Sequence, residues 1–210
     1  MQELVKILNQ SNASDYIIRQ TNTVSQEVFF IGQKLDMGRA KNVTHTNVTV
    51  YVDSEDKKFR GSASIEVHPT STTVEVEKQI NKALLAASFV KNPWYPVVEN
   101  VICENNSIDV NLTDELVKIT KAMQAVQTKE NEKLNSYEIF VNKKTTHIVN
   151  SKGVDVTMSN FDCEIEVVIN TNKDGHEIEL IKDFKFANKD ANEITKDVEA
   201  MFILFCRNCL

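Results

Sequence analysis

At 210 residues the chain is long enough for one large domain or two small ones, and its 41% hydrophobic and 26% charged residues exclude whole-chain disorder. The net charge of −6 argues against nucleic-acid binding, because a phosphate backbone is held by Lys and Arg that displace counterions. Lys57, Lys58 and Arg60 do cluster, but Asp53, Glu55 and Asp56 stand beside them.

Leu4, Val5, Ile7 and Leu8 predict a short first helix, broken by the polar run Ser11 to Ser14. That opening is not a secretory signal, since it lacks a basic start and a long apolar run. No stretch reaches the roughly 18 apolar residues of a membrane span, so the expected setting is the cytoplasm. Tyr16 to Gln20 and Val24 to Ile31 then read as two strands, with Asn22 suited to a turn between them. Val48, Val50 and Val52 alternate with Thr49 and Tyr51, the period of a strand with one apolar face. Asp53 to Lys58 is a charged turn, and Ala63, Ile65 and Val67 resume the alternation, so the pair predicts a hairpin. Gly61, near the start of the second strand, permits a bulge or a close backbone approach.

Pro69 ends that strand, and Thr72 stands three residues before Glu75, the spacing of a capping box. Val76, Ile80, Ala83, Leu84 and Ala87 form one helical stripe. Ala83, Ala86 and Ala87 are small enough to let this helix lie close on a sheet, and Asn92-Pro93 is expected to stop it. Leu116, Ile119, Met123 and Val126 mark a second amphipathic helix, with Thr113 as its candidate cap. Polar Lys129 to Asn135 suggests a boundary, giving an N-terminal α/β region over 1–130 and a hairpin-rich region over 131–210. In the latter, Tyr137 to Val141 and Thr145 to Val149 flank a predicted turn at Asn142-Lys143-Lys144. Cys163, Ile165, Val167 and Ile169 alternate, Asp174-Gly175 favours a type I′ turn, and Ile178 and Leu180 lead the return strand. Ile194, Val198, Met201 and Phe205 close the chain with a helical stripe. Strands and helices mix through hairpins rather than βαβ repeats, which predicts an α+β fold with a mixed or antiparallel sheet and amphipathic helices packed on it.

Few motifs carry chemistry. With five glycines there is no glycine-rich phosphate loop. His45, His68, His147 and His176 are scattered, and His176-Glu177 begins a zinc-peptidase string that no later histidine completes. Cys206-Arg-Asn-Cys209 has redox or zinc spacing but no second pair, and Cys103 and Cys163 are isolated. No catalytic, cofactor-binding or metal-binding residue is assigned. Trp94 and Tyr95 are candidate groove residues, against the plainer reading that they plug the end of the preceding helix. Met201 to Phe205 is apolar on every side, so Phe202 and Phe205 either pack into the core or form an interface.

Several stretches together resemble the TldD/PmbA family, historically called modulators of DNA gyrase and regarded as zinc metallopeptidases. They are Gln26-Glu-Val-Phe-Phe-Ile-Gly-Gln-Lys-Leu-Asp-Met-Gly-Arg39, Val48-Thr-Val-Tyr-Val52, Arg60-Gly-Ser-Ala-Ser64, Ala83-Leu-Leu-Ala-Ala-Ser-Phe-Val-Lys-Asn-Pro-Trp-Tyr95 and Ser151-Lys-Gly-Val-Asp155. The resemblance implies an N-terminal α/β region that precedes a β-rich domain carrying His-Glu-x-x-x-His and a cysteine as zinc ligands. This chain contains no such string. The expected role is therefore the non-catalytic N-terminal portion of such a hydrolase, inactive in proteolysis alone, shaping substrate access or subunit contact. Zinc is expected only in the C-terminal domain. The alternative is a stand-alone binding or scaffolding protein that pairs with a full-length relative. Expected partners are a peptide substrate or another subunit, in a homo- or hetero-oligomer, without nucleic acid or membrane.

Overall fold

The computed structural model describes residues 1–99, 107–173 and 175–208, without the side chains of residue 173 and residues 204–208. Among the described residues, seven strands and four helices give the expected α+β architecture. The strands are β1 (Asp15–Ile31), β2 (Lys34–Asp53), β3 (Phe59–Val67), β4 (Asn92–Pro93), β5 (Glu132–Asn150), β6 (Asp155–Lys173) and β7 (His176–Phe186). They hydrogen-bond in the order β4-β3-β2-β1-β5-β6-β7. The pairs β2–β3, β3–β4 and β6–β7 are antiparallel. The helices are α1 (Gln2–Gln10), α2 (Thr73–Ser88), α3 (Leu112–Gln124) and α4 (Ala191–Asn208).

Two predicted turns are absent. Asn22 lies inside one 17-residue strand, β1. Its side chain donates to Thr44 Oγ1 at 2.9 Å, and Thr21 pairs with Thr146 at 3.3 Å, so this polar stretch finds partners on neighbouring strands and does not bend. Likewise Asn142-Lys143-Lys144 runs straight through β5. Asn142 donates to Asp162 at 2.9 Å and Lys144 pairs with the same carboxylate at 3.1 Å. Neither stretch contains the glycine that a two-residue hairpin favours. Two of the turns that do form use glycine at positive φ, Gly32 at 58° and Gly175 at 81°, and the β2–β3 turn places Lys57 at 52°. The turn at Gly175 joins β6 to β7, whose register pairs Lys173 with His176; Asp174 lies outside the described residues.

Proximity in space divides the chain into two compact units. Unit 1 gathers Met1–Asn22, Val43–Ser107 and Thr145–Ser159; unit 2 gathers Thr23–Asn42, Ile108–Lys144 and Asn160–Leu210. Both draw on residues either side of position 130, because four long strands contribute to each.

In unit 1, α1 and α2 cover the inner face of the sheet. Leu4, Leu8, Ile18, Val48, Val50 and Ile80 form its core. Thr72 caps α2 in a complete capping box with Glu75. Ala83 and Ala87 are buried, whereas Ala86 is exposed, so two of the three small residues serve the close approach. Opposite them is Gly61, where a Cβ would lie 1.8 Å from the carbonyl oxygen of Ala87. The helix ends at Ser88, whose hydroxyl donates back to Leu85 O at 2.7 Å, four residues before the Asn92-Pro93 expected to stop it.

In unit 2, α3 packs on α4, and Thr195 Oγ1 donates to Ala122 O at 2.9 Å. Their apolar faces meet alternate residues of β5 and β6, including Tyr137, Ile139, Ile165 and Val167. Phe30 stacks on Tyr137 with ring centroids 4.6 Å apart. The cap of α3 is Asn111 and not Thr113. Asn111 Oδ1 accepts from the backbone N–H of Thr113 and Asp114 at 3.0 and 3.4 Å, while the Thr113 hydroxyl pairs with Gln26.

Three substitutions check this account by urea unfolding. Gly61→Ala is expected to lower stability by about 3 kcal/mol or more, because the obstruction is backbone and cannot yield. Asn111→Ala should cost about 1 kcal/mol as a lost cap, and Thr113→Ala should stay within about 0.5 kcal/mol.

Candidate functional site

The most densely organised polar group in unit 1 is built around Arg60, which is 2% exposed despite its charge. It stands early in β3, paired in register with Asp53 on β2 and Asn92 on β4. Its Nε donates to Asp53 Oδ1 at 2.6 Å and its Nη2 to Asp53 Oδ2 at 3.0 Å, the bidentate fork that a planar guanidinium makes with a carboxylate. Nη2 also donates to Asp15 Oδ2 at 2.8 Å. Ser151 and Lys152 complete the group by donating to Asp15 Oδ1 at 2.6 and 3.2 Å.

Local sequence explains how these groups are held. Asn150 Oδ1 accepts from the N–H of Lys152 and Val154 at 2.9 and 3.0 Å, and Gly153 turns the chain at φ 82°, so Ser151 and Lys152 project from a fixed turn. Asn150 also donates to Val98 O at 2.6 Å, tying down the segment after Trp94. Trp94 Nε1 donates to Asp53 Oδ2 at 3.2 Å, and its ring centroid lies 4.9 Å from the guanidinium carbon. Tyr51 presents its ring at 5.5 Å and meets Tyr95 edge-on at 6.1 Å. A cleft of about 480 Å³ opens beside this cluster, walled by Arg60, Trp94, Val97, Lys57, Glu99 and Lys152 among others.

Both aspartates are held ionised. Burial pushes the Asp15 carboxyl up, but the hydrogen bonds from Ser151, Lys152 and Arg60 outweigh it and leave its pKa lowered. For Asp53 the Arg60 hydrogen bonds are the largest influence and lower the pKa against burial.

The candidate residues fall as follows. Trp94 and Tyr95 are each 41% exposed; Trp94 forms a wall of the cleft, and Tyr95 packs on Tyr51. Phe202 is 3% exposed within the core of unit 2, and Ile203, at 53%, carries the exposed apolar surface there. The side chains of Phe205, Cys206 and Cys209, and the whole of Cys103, lie outside the described residues. Cys163 is buried, which pushes its thiol up to about 12 and keeps it from acting as a thiolate. His45 pairs with Glu66 at 2.5 Å, His147 with Asp155 at 2.6 Å and His68 with Thr70 at 2.8 Å. His176 opens β7. Among the described residues no group of three His, Cys, Asp or Glu could hold a metal ion. Also among the described residues, no helix is long and apolar enough to cross a membrane.

Sequence alone does not mark Arg60 as a site residue, since it stands beside the charges of the Asp53 to Lys58 turn. The available signal was its position at the foot of an alternating strand, directly before Gly61 and across the hairpin from Asp53.

No family model matches the chain, and no curated protein matches it in sequence. Solved structures do. TldE from Thermococcus kodakarensis superposes with a TM-score of 0.64 at 16% identity, over 94% of this chain and 46% of its own. A proposed modulator of a DNA gyrase from Thermotoga maritima MSB8 gives 0.62 at 12% identity, over 95% and 46%. A proposed modulator of DNA gyrase from Bacteroides thetaiotaomicron VPI-5482 gives 0.62 at 10% identity, over 94% and 48%. The chain thus shares their fold and spans a little under half the length of each.

The ion cluster makes a pH prediction. A carboxyl whose folded pKa lies below its unfolded value of about 3.9 stabilises the fold fully above that value, and the contribution is lost as pH falls through the folded pKa. Stability by urea unfolding should therefore fall below about pH 4. Arg60→Met should cost about 3–5 kcal/mol at neutral pH, since Asp53 loses the guanidinium paired with it and Asp15 keeps only Lys152. Protonation then relieves those carboxylates, so the variant's loss should narrow, not widen, on acidification.

Proposed function

We propose that this chain supplies the non-catalytic N-terminal portion of a TldD/PmbA-like zinc metallopeptidase, shaping substrate access or subunit contact and inactive alone. The observation that carries the reading is the fold match over 94–95% of this chain against 46–48% of each neighbour. Two further observations support it. The sequence has no His-Glu-x-x-x-His string. Four of the five stretches that resemble the family, though far apart in sequence, meet around Arg60 through Tyr51, Trp94, Ser151 and Lys152. Zinc belongs, in this reading, to a catalytic domain outside this chain, and no step here runs through it. The working compartment is the cytoplasm.

A stand-alone scaffolding role, pairing with a full-length relative, draws on a different observation. Leu85 and Phe89, at the end of α2, are 61% and 77% exposed, an apolar surface suited to a protein partner.

Metal analysis and a peptide-cleavage assay test the first reading. The purified chain is expected to hold no stoichiometric zinc and to cleave no peptide. Stoichiometric zinc with chelator-sensitive cleavage overturns it. Light scattering after mixing with a zinc-bearing relative separates the two roles: a stable heteromeric complex supports the scaffold, and two unmixed species count against it.

A further inference from the structure

A helix laid on a sheet ordinarily turns polar residues to solvent. Helix α2 departs from that rule. Its buried stripe is Val76, Ile80, Ala83 and Ala87. Half a turn round, Val74, Lys78, Lys82, Leu85 and Phe89 recur at steps of four, four, three and four residues, so they share the outer face. Phe89 is the C-cap and keeps helical backbone angles, so it continues the stripe. Val74, Leu85 and Phe89 are 72%, 61% and 77% exposed, a row of large apolar side chains left in water.

Lys78 and Lys82 stand inside this row. Both are exposed, and neither makes an ion pair among the described residues. The acids nearby are engaged elsewhere. Glu75 accepts from the Thr72 N–H and hydroxyl at 2.8 and 2.9 Å in the capping box. Glu77 lines a cleft with Gln10 of α1. Ser88 and Val90, the neighbours of Phe89, wall a further cleft of about 300 Å³ together with Phe59 and Lys91. The outer face of α2 is thus apolar and cationic, and it ends beside a hollow.

The order of charges along the row decides what covers it. A second copy of α2 would set lysine against lysine. A lipid surface takes lysines on the flanks of an apolar stripe, from which they reach the headgroups. Here they lie between Val74 and Leu85, where lipid would bury them, and a flat bilayer leaves the hollow unfilled. A helix of another protein meets both demands, because it can set a carboxylate opposite each lysine and apolar side chains against the rest.

We propose that the outer face of α2 docks an amphipathic helix of about four turns from another protein, its apolar stripe flanked by carboxylates that pair with Lys78 and Lys82. The inference rests on the reading of this surface as protein-binding and names the partner's chemistry; the family relation does not enter it.

The probe is a fluorescein-labelled helical peptide of about 16 residues, with a leucine stripe and glutamates on both flanks. A second peptide carries lysine in place of each glutamate. The full chain is titrated into each and anisotropy is read. The expected result is saturable binding of the glutamate peptide and about ten-fold weaker binding of the lysine peptide. Lys78→Glu combined with Lys82→Glu should invert that preference. Phe89→Ser should raise the Kd by about ten-fold or more. Its urea midpoint should not move, since the side chain lies in solvent. No saturable binding of the glutamate peptide, equal binding of the two peptides, or a preference that the double variant leaves in place overturns the proposal. Co-sedimentation with vesicles of phosphatidylcholine and phosphatidylglycerol that the double variant loses assigns the face to lipid, and overturns it too. Light scattering with the zinc-bearing relative keeps this inference apart from the scaffold role. A complex that survives Phe89→Ser leaves that role standing and overturns this surface as its site. Peptide binding without such a complex upholds the surface and counts against the role.

Discussion

The fork between Arg60 and Asp53 is the constraint on which unit 1 depends. It joins β3 to β2 at the closed end of their hairpin, and through Asp15 it reaches β1 and the turn after β5. A buried ion cluster is a weak source of net stability, because desolvation offsets the Coulomb attraction. Its effect is geometric: every partner must occupy one position for the charges to be neutralised. The adjacent residue, Gly61, points to the opposite face of the same strand, as strand alternation requires. There the absent side chain lets the last turn of α2 press on the sheet. Two consecutive residues thus fix the polar group on one face and the helix on the other.

Much of the fold was legible in the sequence where one face of an element is apolar. Val48 and Val50, Cys163 to Ile169, and the stripes of α2 and α4 all alternate or recur as predicted, because each lies against a core. Legibility failed where neither face of a strand lies against a core. Residues 34–43 of β2 are all exposed and carry no pattern, so that half of the strand could not be read. Asn22 and Asn142 looked like turns because Asn favours turns locally, but cross-strand hydrogen bonds outweighed the local preference. The cap of α3 was misplaced by two residues for a related reason: Asn111 and Thr113 are both competent caps, and only geometry chooses between them.

The site was less legible than the fold. Sequence offers Trp94 as a groove residue or a plug, and shows Asp53 and Arg60 only as charges at either end of a charged turn. A charged residue in sequence carries no mark of burial; what buries Arg60 is the arrival of Asp15, Trp94 and Ser151 from stretches tens of residues away. The motifs that resemble the TldD/PmbA family behave consistently with this. Separately they are short and ordinary, and folding assembles the four that fall in unit 1. The solved neighbours share the architecture at 10–16% identity, a level at which shape persists while few individual side chains do.

The interleaving of the two units also governs how the chain can be made. Unit 1 takes its last stretch from residues 145–159, and unit 2 takes its first from residues 23–42. Neither can close while the early part of the chain alone has left the ribosome. Strand β1 must wait through the synthesis of about a hundred further residues before its neighbour β5 arrives, a delay characteristic of topologies dominated by distant pairings. During that interval β1 presents an unpaired edge, the form of chain on which aggregation and chaperone capture act.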